Sequence, residues 1–548
     1  MDKNLYENPN FLSVVFLAVA SLLALGSAPD YGLSWDEVFR TAGGEEKLDY
    51  YRALLAGESE AATELRKEGD GYPGLFDLSL AILRDVSPLD EVTTGHLWTA
   101  CFGLLGLLGT VLLGRLLGGP WVGLIAGLLL AACPRYWGHM FINPKDIPFA
   151  ATFVFGLWTL FRGLSAADGP KLGSALWFGM AAGACMAVRI GGLLLFCYAG
   201  LFFGVLVLWH AYRELWSIEQ FARTGVHRLI WIGVAAVVAF PILFIFWPNM
   251  HSNPFEAVGS TLEGVTNFGW EGVVLFRGEF LPAAQIPWIY LPVWLLIGLP
   301  EIWLLIPVIG VGLLLRNLRQ QGPSLMTSGE DAARFIALGF LVLFPLGYII
   351  FKGSTVYDGF RHILFILPPL AVFLSMIIAF TLRALTKRTW RLEGACVFAL
   401  GLLVPLVQQF RLHPYQYTYF NHPALILGDA SERFDTDYWG TAYRQATEQL
   451  VVWVNENQEM STAEPVRLAM MPPYERVFEK FEKFVVPPPA LVQVYLPPGF
   501  QLVEPGQDPD FYMAITRYGF SEMLPGETII EIRQADVLLA RVTKSRVD

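Results

Sequence analysis

Charge is scarce in this chain. Asp, Glu, Lys and Arg together make up 16% of its 548 residues, where a soluble domain carries about 25%. Cysteine is scarcer still. Cys101, Cys133, Cys185, Cys197 and Cys396 each lie within or at the edge of an apolar run, whereas a disulfide scaffold places cysteines in polar loops. No two of them have metal-ligand spacing, so they read as small core hydrophobes. Also missing are a GxxxxGK[ST] phosphate loop, a GxGxxG turn after a strand, an HExxH helix and a CxxC pair. These absences argue against an ATP-driven pump and a soluble nucleotide-sugar enzyme. A basic surface for nucleic acid is excluded as well, since 38 Lys and Arg stand against 49 Asp and Glu.

What the chain has is apolar sequence. Hydrophobic residues are 54% of it, with 52 glycines, 17 tryptophans and 40 phenylalanines, a composition suited to a polytopic membrane protein. It excludes disorder and overrides a length prior of roughly three or four soluble domains. Runs of bilayer-spanning character fall near 11–28, 96–117, 121–133, 147–164, 173–188, 191–209, 228–247, 291–315, 334–352, 362–382 and 392–408, about eleven in all. The first resembles a signal peptide ending at Gly26-Ser27-Ala28, but Pro29 disfavours cleavage, and an uncleaved anchor is expected.

Lys and Arg set the orientation. With the N-terminus inside, fourteen of them fall on inner segments: Lys3, Arg115, Arg162, Lys171, Arg213, Arg223, Arg228, Arg316, Arg319, Arg334, Arg383, Lys387, Arg388 and Arg391. Short outer loops hold six: Arg135, Lys145, Arg189, Arg277, Lys352 and Arg361. The bias predicts an inner-membrane protein with a cytoplasmic N-terminus and a periplasmic or extracellular C-terminus. Two large pieces then lie outside, 30–95 with an amphipathic stretch at Val38–Ala56, and 409–548. The second piece reads as a small α/β domain, with an amphipathic helix from Thr441 and strands at Val466, Phe511 and Thr528. The membrane module is therefore 1–408 and the outer domain 409–548.

Chemistry-bearing residues collect at the outer ends of the runs. Ser34-Trp35-Asp36-Glu37 follows the first run directly. Adjacent carboxylates point in different directions, so Asp36 and Glu37 are no facing acid/base pair; one carboxylate acting as a base is the more natural use. Residues 133–148 mix His139, Lys145 and Asp146 with three prolines. A lone histidine beside a membrane is more often structural than chemical, and Lys145-Asp146 reads equally as an ion pair. Lys145, Arg189, Lys352 and Arg361 stand at helix mouths against the positive-inside bias. Snorkelling to headgroups explains each singly; a shared anion, a phosphate or diphosphate lipid, explains them together. Glu301 falls inside an apolar run, where a carboxylate is a functional candidate, unless Pro287–Pro300 is a re-entrant or interfacial piece that lifts it toward the headgroups. Phe276-Arg277-Gly278-Glu279 and Pro287-Trp288-Ile289-Tyr290 look like a packed aromatic outer loop.

With these residues in view, the chain resembles the polyprenyl-phosphate-dependent GT-C glycosyltransferases. Within them it is similar to glycosyltransferase family 39, which holds protein O-mannosyltransferases and lipid A aminoarabinose transferases. The likeness rests on Trp35-Asp36-Glu37, on Asn143-Pro-Lys-Asp-Ile-Pro148 and on Met186-Ala-Val-Arg189-Ile-Gly-Gly192. It rests too on Leu275-Phe-Arg-Gly278 with Ile286-Pro-Trp-Ile-Tyr290, on Tyr357-Asp-Gly-Phe-Arg361-His362, and on Phe434-Asp-Thr-Asp-Tyr-Trp-Gly440 as in bacterial members. It covers most of 1–460 and leaves the last hundred residues unmatched.

The resemblance implies an inverting transferase, hexosyl or pentosyl, with Asp36 as general base and Glu37 beside it. Lys145, Arg189, Arg361 and Lys352 would bind the donor phosphate, and His139, Asp146, Tyr357, His362 and Arg277 the substrates. The partners implied are a polyprenyl-phosphate sugar, an acceptor that is protein, lipid or glycan, and membrane lipid. No cofactor is assigned, no nucleotide is needed outside the cell, and a divalent cation stays open. The tail is not the trefoil-like module of eukaryotic members, which leaves the acceptor unassigned. Competing classes are a flippase or transporter of lipid-linked sugars, which would want inverted repeats and broken midplane helices, and a membrane sensor with 409–548 as its ligand domain.

Overall fold

A computed structural model describes residues 8–69, 71–165, 169–266, 269–320, 329–385, 387–426, 428–457, 465–478 and 488–545; Lys3, cited above, lies outside them. Each of the eleven apolar runs is built on a helix. Among the described residues, eight helices are long and apolar enough to cross a bilayer: Pro9–Asp30, Glu91–Gly118, Asp146–Leu164, Ile190–Arg213, Ile218–Ile245, Gly329–Lys352, Arg361–Ala384 and Arg388–Arg411. Pro120–Ala131 and Leu172–Val188 are apolar but shorter. The fold is thus a polytopic helical membrane module with a small sheet-bearing tail. Leu22, Val237 and Leu400 are exposed on these helices, as side chains facing lipid should be. Helix contacts use small residues where lipid gives no hydrophobic drive. A Cβ on Gly179 would come within 2.5 Å of the Ala235 carbonyl oxygen, so Leu172–Val188 and Ile218–Ile245 approach backbone to backbone.

The helix of the 291–315 run is broken. Tyr290–Gly298 and Glu301–Leu313 meet at 104°, because Pro300 cannot donate and drives Leu299 out of the helical region, to φ −94° and ψ 145°. The freed carbonyls need donors. Asn421 Nδ2 donates to Leu296 O at 2.6 Å and Leu299 O at 3.0 Å, and Asn421 N to Ile297 O at 2.9 Å. Glu301 accepts from His422 N and Nδ1, both at 2.8 Å, and from the Tyr419 hydroxyl at 3.3 Å. This carboxylate fastens the break to the segment after the last apolar helix.

Residues 30–95 form three helices, Trp35–Ala56, Ser59–Glu68 and Leu75–Val86. The expected aromatic outer loop contains a hairpin, β1 (Val273–Phe276) and β2 (Glu279–Pro282). Its turn is Arg277-Gly278, with φ of 58° and 87°. In the tail, helix Ala442–Glu456 packs on a mixed sheet of β3 (Val466–Ala469), β4 (Phe500–Leu502), β5 (Phe511–Ile515), β6 (Glu527–Gln534) and β7 (Val537–Lys544), ordered β4-β3-β5-β7-β6. β3 runs parallel to β4 and β5, while β7 is antiparallel to β5 and β6. One continuous apolar core joins this sheet to the membrane helices.

The break yields a stability test. Asn421→Ala leaves the Leu296 and Leu299 carbonyls without that side chain, a cost of about 1–3 kcal/mol. A lowered melting temperature in nanodiscs is expected; an unchanged one would show that the side chain is dispensable.

Candidate active site

The helix Trp35–Ala56 begins with a capping box. Ser34 Oγ accepts from Glu37 N, and Glu37 Oε2 accepts from Ser34 N at 2.8 Å. That use turns Glu37 inward, where Oε1 lies 3.2 Å from His96 Nε2. Asp36, one residue earlier on the same turn, faces the other way and remains partly exposed. The start of the helix is held by the tail, since Trp35 N donates to Trp439 O at 2.9 Å and Leu33 N to the Tyr495 hydroxyl at 2.8 Å. Gly32 permits this approach: a Cβ there would lie 2.2 Å from Thr441 O.

The second contributor is the turn before helix Asp146–Leu164. Asn143 Oδ1 accepts from Lys145 N at 3.2 Å and Asp146 N at 2.8 Å, while its Nδ2 donates to Asp146 Oδ2 at 3.1 Å. The same nitrogen lies 3.1 Å from His139 Nδ1, and His139 Nε2 lies 3.1 Å from the Tyr438 hydroxyl. Burial, with Arg135 next, pushes the His139 pKa down to about 3. His139 is therefore a neutral linker between this turn and the tail.

Arg361 is the centre. Its Nη1 is 3.3 Å from both Asp36 Oδ2 and Asp146 Oδ2, and its Nε donates to Asp358 Oδ2 at 3.0 Å. The guanidinium lies over Tyr357 at 4.8 Å and Trp439 at 5.3 Å. Arg189 pairs with the other oxygen of Asp146. Lys145 Nζ stands 4.8 Å over the Tyr72 ring, and among the described residues no carboxylate forms an ion pair with it. Burial, then the Arg189 charge, lowers the Lys145 pKa to about 8. A narrow crevice lined by Arg40, Tyr72, Phe76, Asp77, Lys145 and Val188 adjoins it. His362 packs edge-on against Tyr357 at 4.6 Å.

The structure thus brings together Asp36, Lys145, Arg189, Arg361, His139, Asp146, Tyr357 and His362. It does not bring in the other three. Glu37 closes the helix cap and pairs with His96. Lys352 ends helix Gly329–Lys352 on an exposed face. Arg277 is exposed at the tip of the β1–β2 turn. Asp146 is a partner of cations in this arrangement rather than a group open to substrate. Among the described residues no cluster of three or more His, Cys, Asp or Glu is spaced to hold a metal ion.

Several contributors had no site role assigned from the sequence, although Asp358, Asp435 and Asp437 lie inside the Tyr357–His362 and Phe434–Gly440 motifs. Asp358 sits between Arg361 and Arg517 of the tail, with Arg517 Nη2 2.9 Å from Asp358 Oδ1. Burial raises the Asp358 pKa against the pull of these two arginines. Asp437 accepts from Gly440 N, Thr441 N and Ala442 N at 2.7–3.0 Å and from the Tyr417 hydroxyl, which fixes the turn that presents Trp439. Asp435 accepts from Leu275 N at 3.0 Å, and burial pushes its pKa up to about 7.

No protein-family model and no curated protein matches the chain. Solved structures do resemble it. ArnT from Cupriavidus metallidurans bound to undecaprenyl phosphate is 14% identical, with 96% of this chain and 97% of that one covered, at a TM-score of 0.47. The archaeal oligosaccharyltransferase AglB from Archaeoglobus fulgidus, in complex with an inhibitory peptide and a dolichol-phosphate, is 10% identical over 94% of this chain and 71% of its own, at 0.43. The S. cerevisiae protein O-mannosyltransferase Pmt1-Pmt2 complex bound to the sugar donor is 16% identical over 49% and 38%, at 0.34. At such scores the likeness assigns no residue a role.

Proposed function

We propose that the protein is an inverting glycosyltransferase that moves a sugar from a polyprenyl-phosphate carrier to an acceptor hydroxyl at the outer face of the membrane. The observation that carries this reading is one shared guanidinium: Arg361 Nη1 is 3.3 Å from Asp36 and 3.3 Å from Asp146. A base held by the very cation that a phosphate would claim is released when the phosphate arrives. Arg361 and Arg189 offer forks to phosphate oxygens, and Lys145 offers a point charge whose present neighbour is a ring.

The chemistry then balances simply. The acceptor oxygen bonds to the anomeric carbon while the bond from that carbon to the phosphate oxygen breaks. The electron pair leaves with the polyprenyl phosphate, stabilised by the three cations, and the acceptor proton passes to Asp36. Attack opposite the leaving group inverts the anomeric centre. Because the tail touches this cluster through Trp439 and Arg517, site and tail share one side of the membrane. We assign 1–408 as the membrane module and 409–548 as an outer domain, with Arg223 and Arg388 inside.

Asp36→Asn keeps size and most hydrogen bonding but removes the proton acceptor. Turnover should fall about 10²–10⁴-fold, while donor binding changes far less; near-wild-type turnover would exclude Asp36 as the base. Glycan and envelope-lipid mass spectrometry with and without the protein identifies the product to be assayed.

The lowered Lys145 pKa gives a pH signature. The cationic form binds phosphate, so affinity for undecaprenyl phosphate should decline as pH rises through about 8. Lys145→Arg stays charged there and should shift the decline upward. Identical profiles for the two proteins would count against Lys145 as a phosphate ligand.

Orientation is tested at Val452, which is 55% exposed on helix Ala442–Glu456. A cysteine placed there, in a background lacking the native five, should react with a membrane-impermeant maleimide added to intact cells or spheroplasts. Protection at that position would reverse the assigned topology.

A further inference from the structure

The last hundred residues matched nothing in the sequence reading, yet they deliver a charge to the site. Arg517 follows β5 in a tight turn whose next residue, Tyr518, has φ 60°. It is 8% exposed. Its Nη2 lies 2.9 Å from Asp358 Oδ1, its Nη1 donates to the Tyr438 carbonyl, and its guanidinium stands 5.4 Å from the Trp270 ring. Trp270 in turn stacks on Tyr357 at 4.1 Å, and Tyr357 underlies Arg361. Asp358 is 2% exposed and sits at φ 57°, in the left-handed region, so the backbone as well as the two arginines fixes its carboxylate.

Each oxygen of Asp358 serves one cation. Oδ2 accepts from Arg361 Nε at 3.0 Å, and Oδ1 makes the ion pair with Arg517. A buried carboxylate with two cationic partners keeps its charge; with one partner removed, the remaining pair is left poorly compensated. The Arg361 head group is therefore oriented from two directions. Asp36 and Asp146 hold Nη1, and Asp358 holds Nε only while something holds Asp358.

We propose that Arg517 is a positioning residue for the transfer site: by pairing with Asp358 it keeps that carboxylate set against Arg361 Nε, and so couples the outer domain to the guanidinium that receives phosphate. This rests on the glycosyl-transfer reading for what Arg361 binds. The coupling gives the tail a part in the reaction besides any contact with an acceptor.

The test is affinity for undecaprenyl phosphate, measured by native mass spectrometry on the full-length protein in nanodiscs. Arg517→Gln should weaken binding about tenfold, the scale of one lost charged contact. Arg517→Lys keeps a charge beside Asp358 and should recover most of that loss, which a merely structural arginine would not predict. Asp358→Asn should weaken binding to a similar degree, and adding Arg517→Gln to it should cost less than about twofold more, because the arginine acts through that carboxylate. Wild-type affinity in Arg517→Gln, a lysine variant no better than the glutamine one, or losses that multiply in the double variant would each overturn the proposal. If Arg517→Gln does not fold, wild-type affinity in Asp358→Asn overturns it alone. If the wild-type protein itself fails to bind undecaprenyl phosphate, the glycosyl-transfer reading falls first and this coupling with it.

Discussion

The Arg361 guanidinium is the point on which the tail-facing half of the molecule is organised. Three carboxylates meet it, from the first turn of helix Trp35–Ala56, from the first residue of helix Asp146–Leu164, and from its own loop. Charges at 2–5% exposure are tolerated only as a set, since removing one partner strands another. That requirement fixes where helices must start. Asp146 has to be the first residue of its helix, Asp36 has to sit on a first turn, and Arg361 has to open the helical span Arg361–Ala384. The capping box at Ser34, the Asn143 side chain and the left-handed Asp358 are the local means by which each requirement is met.

A resting site that is already neutralised internally differs from an open basic pocket. Asp36 and Asp146 occupy Arg361 and Arg189. Under the proposed reading the base and the anion-binding group are ligands of each other, so that binding and activation would be one event. Lys145 rests on an aromatic ring and, among the described residues, forms no carboxylate ion pair.

Much of this was legible in the sequence for a physical reason. Lys145, Arg189 and Arg361 violate the charge bias that places membrane helices, and a violation at three helix mouths invites a common cause. The same rule misplaced Lys352, because charge at a helix end says nothing about which way round the helix faces. Asp36 and Glu37 could not be told apart by composition, although Ser34-Trp-Asp-Glu37 is a capping-box spacing that assigns Glu37 to the backbone. β7 was missed since it is buried on both faces and shows no alternation, and its turn is Ala535-Asp536 with φ of 47° and 66° where Asn-Gly is the usual signal. Arg517 had no signal at all, and Asp358 stood inside the Tyr357–His362 motif without a role of its own: the two acquire meaning only by meeting. Glu301 went the other way, from an intramembrane carboxylate with a functional look to the fastening of a proline break.

The tie between Asp36, Arg361 and Arg517 also has a consequence for how the molecule is made. A ribosome delivers the first of these groups long before the last, and membrane helices enter the bilayer as they emerge. For most of synthesis the aspartates at 36 and 146 exist without their guanidinium, and then Asp358 without its second one. Groups in that condition favour hydration, so the ends of the early helices that carry them gain their full packing once the tail has folded against them. A chain that stops before Arg517 leaves the buried Asp358 carboxylate with Arg361 as its one arginine partner in this pairing.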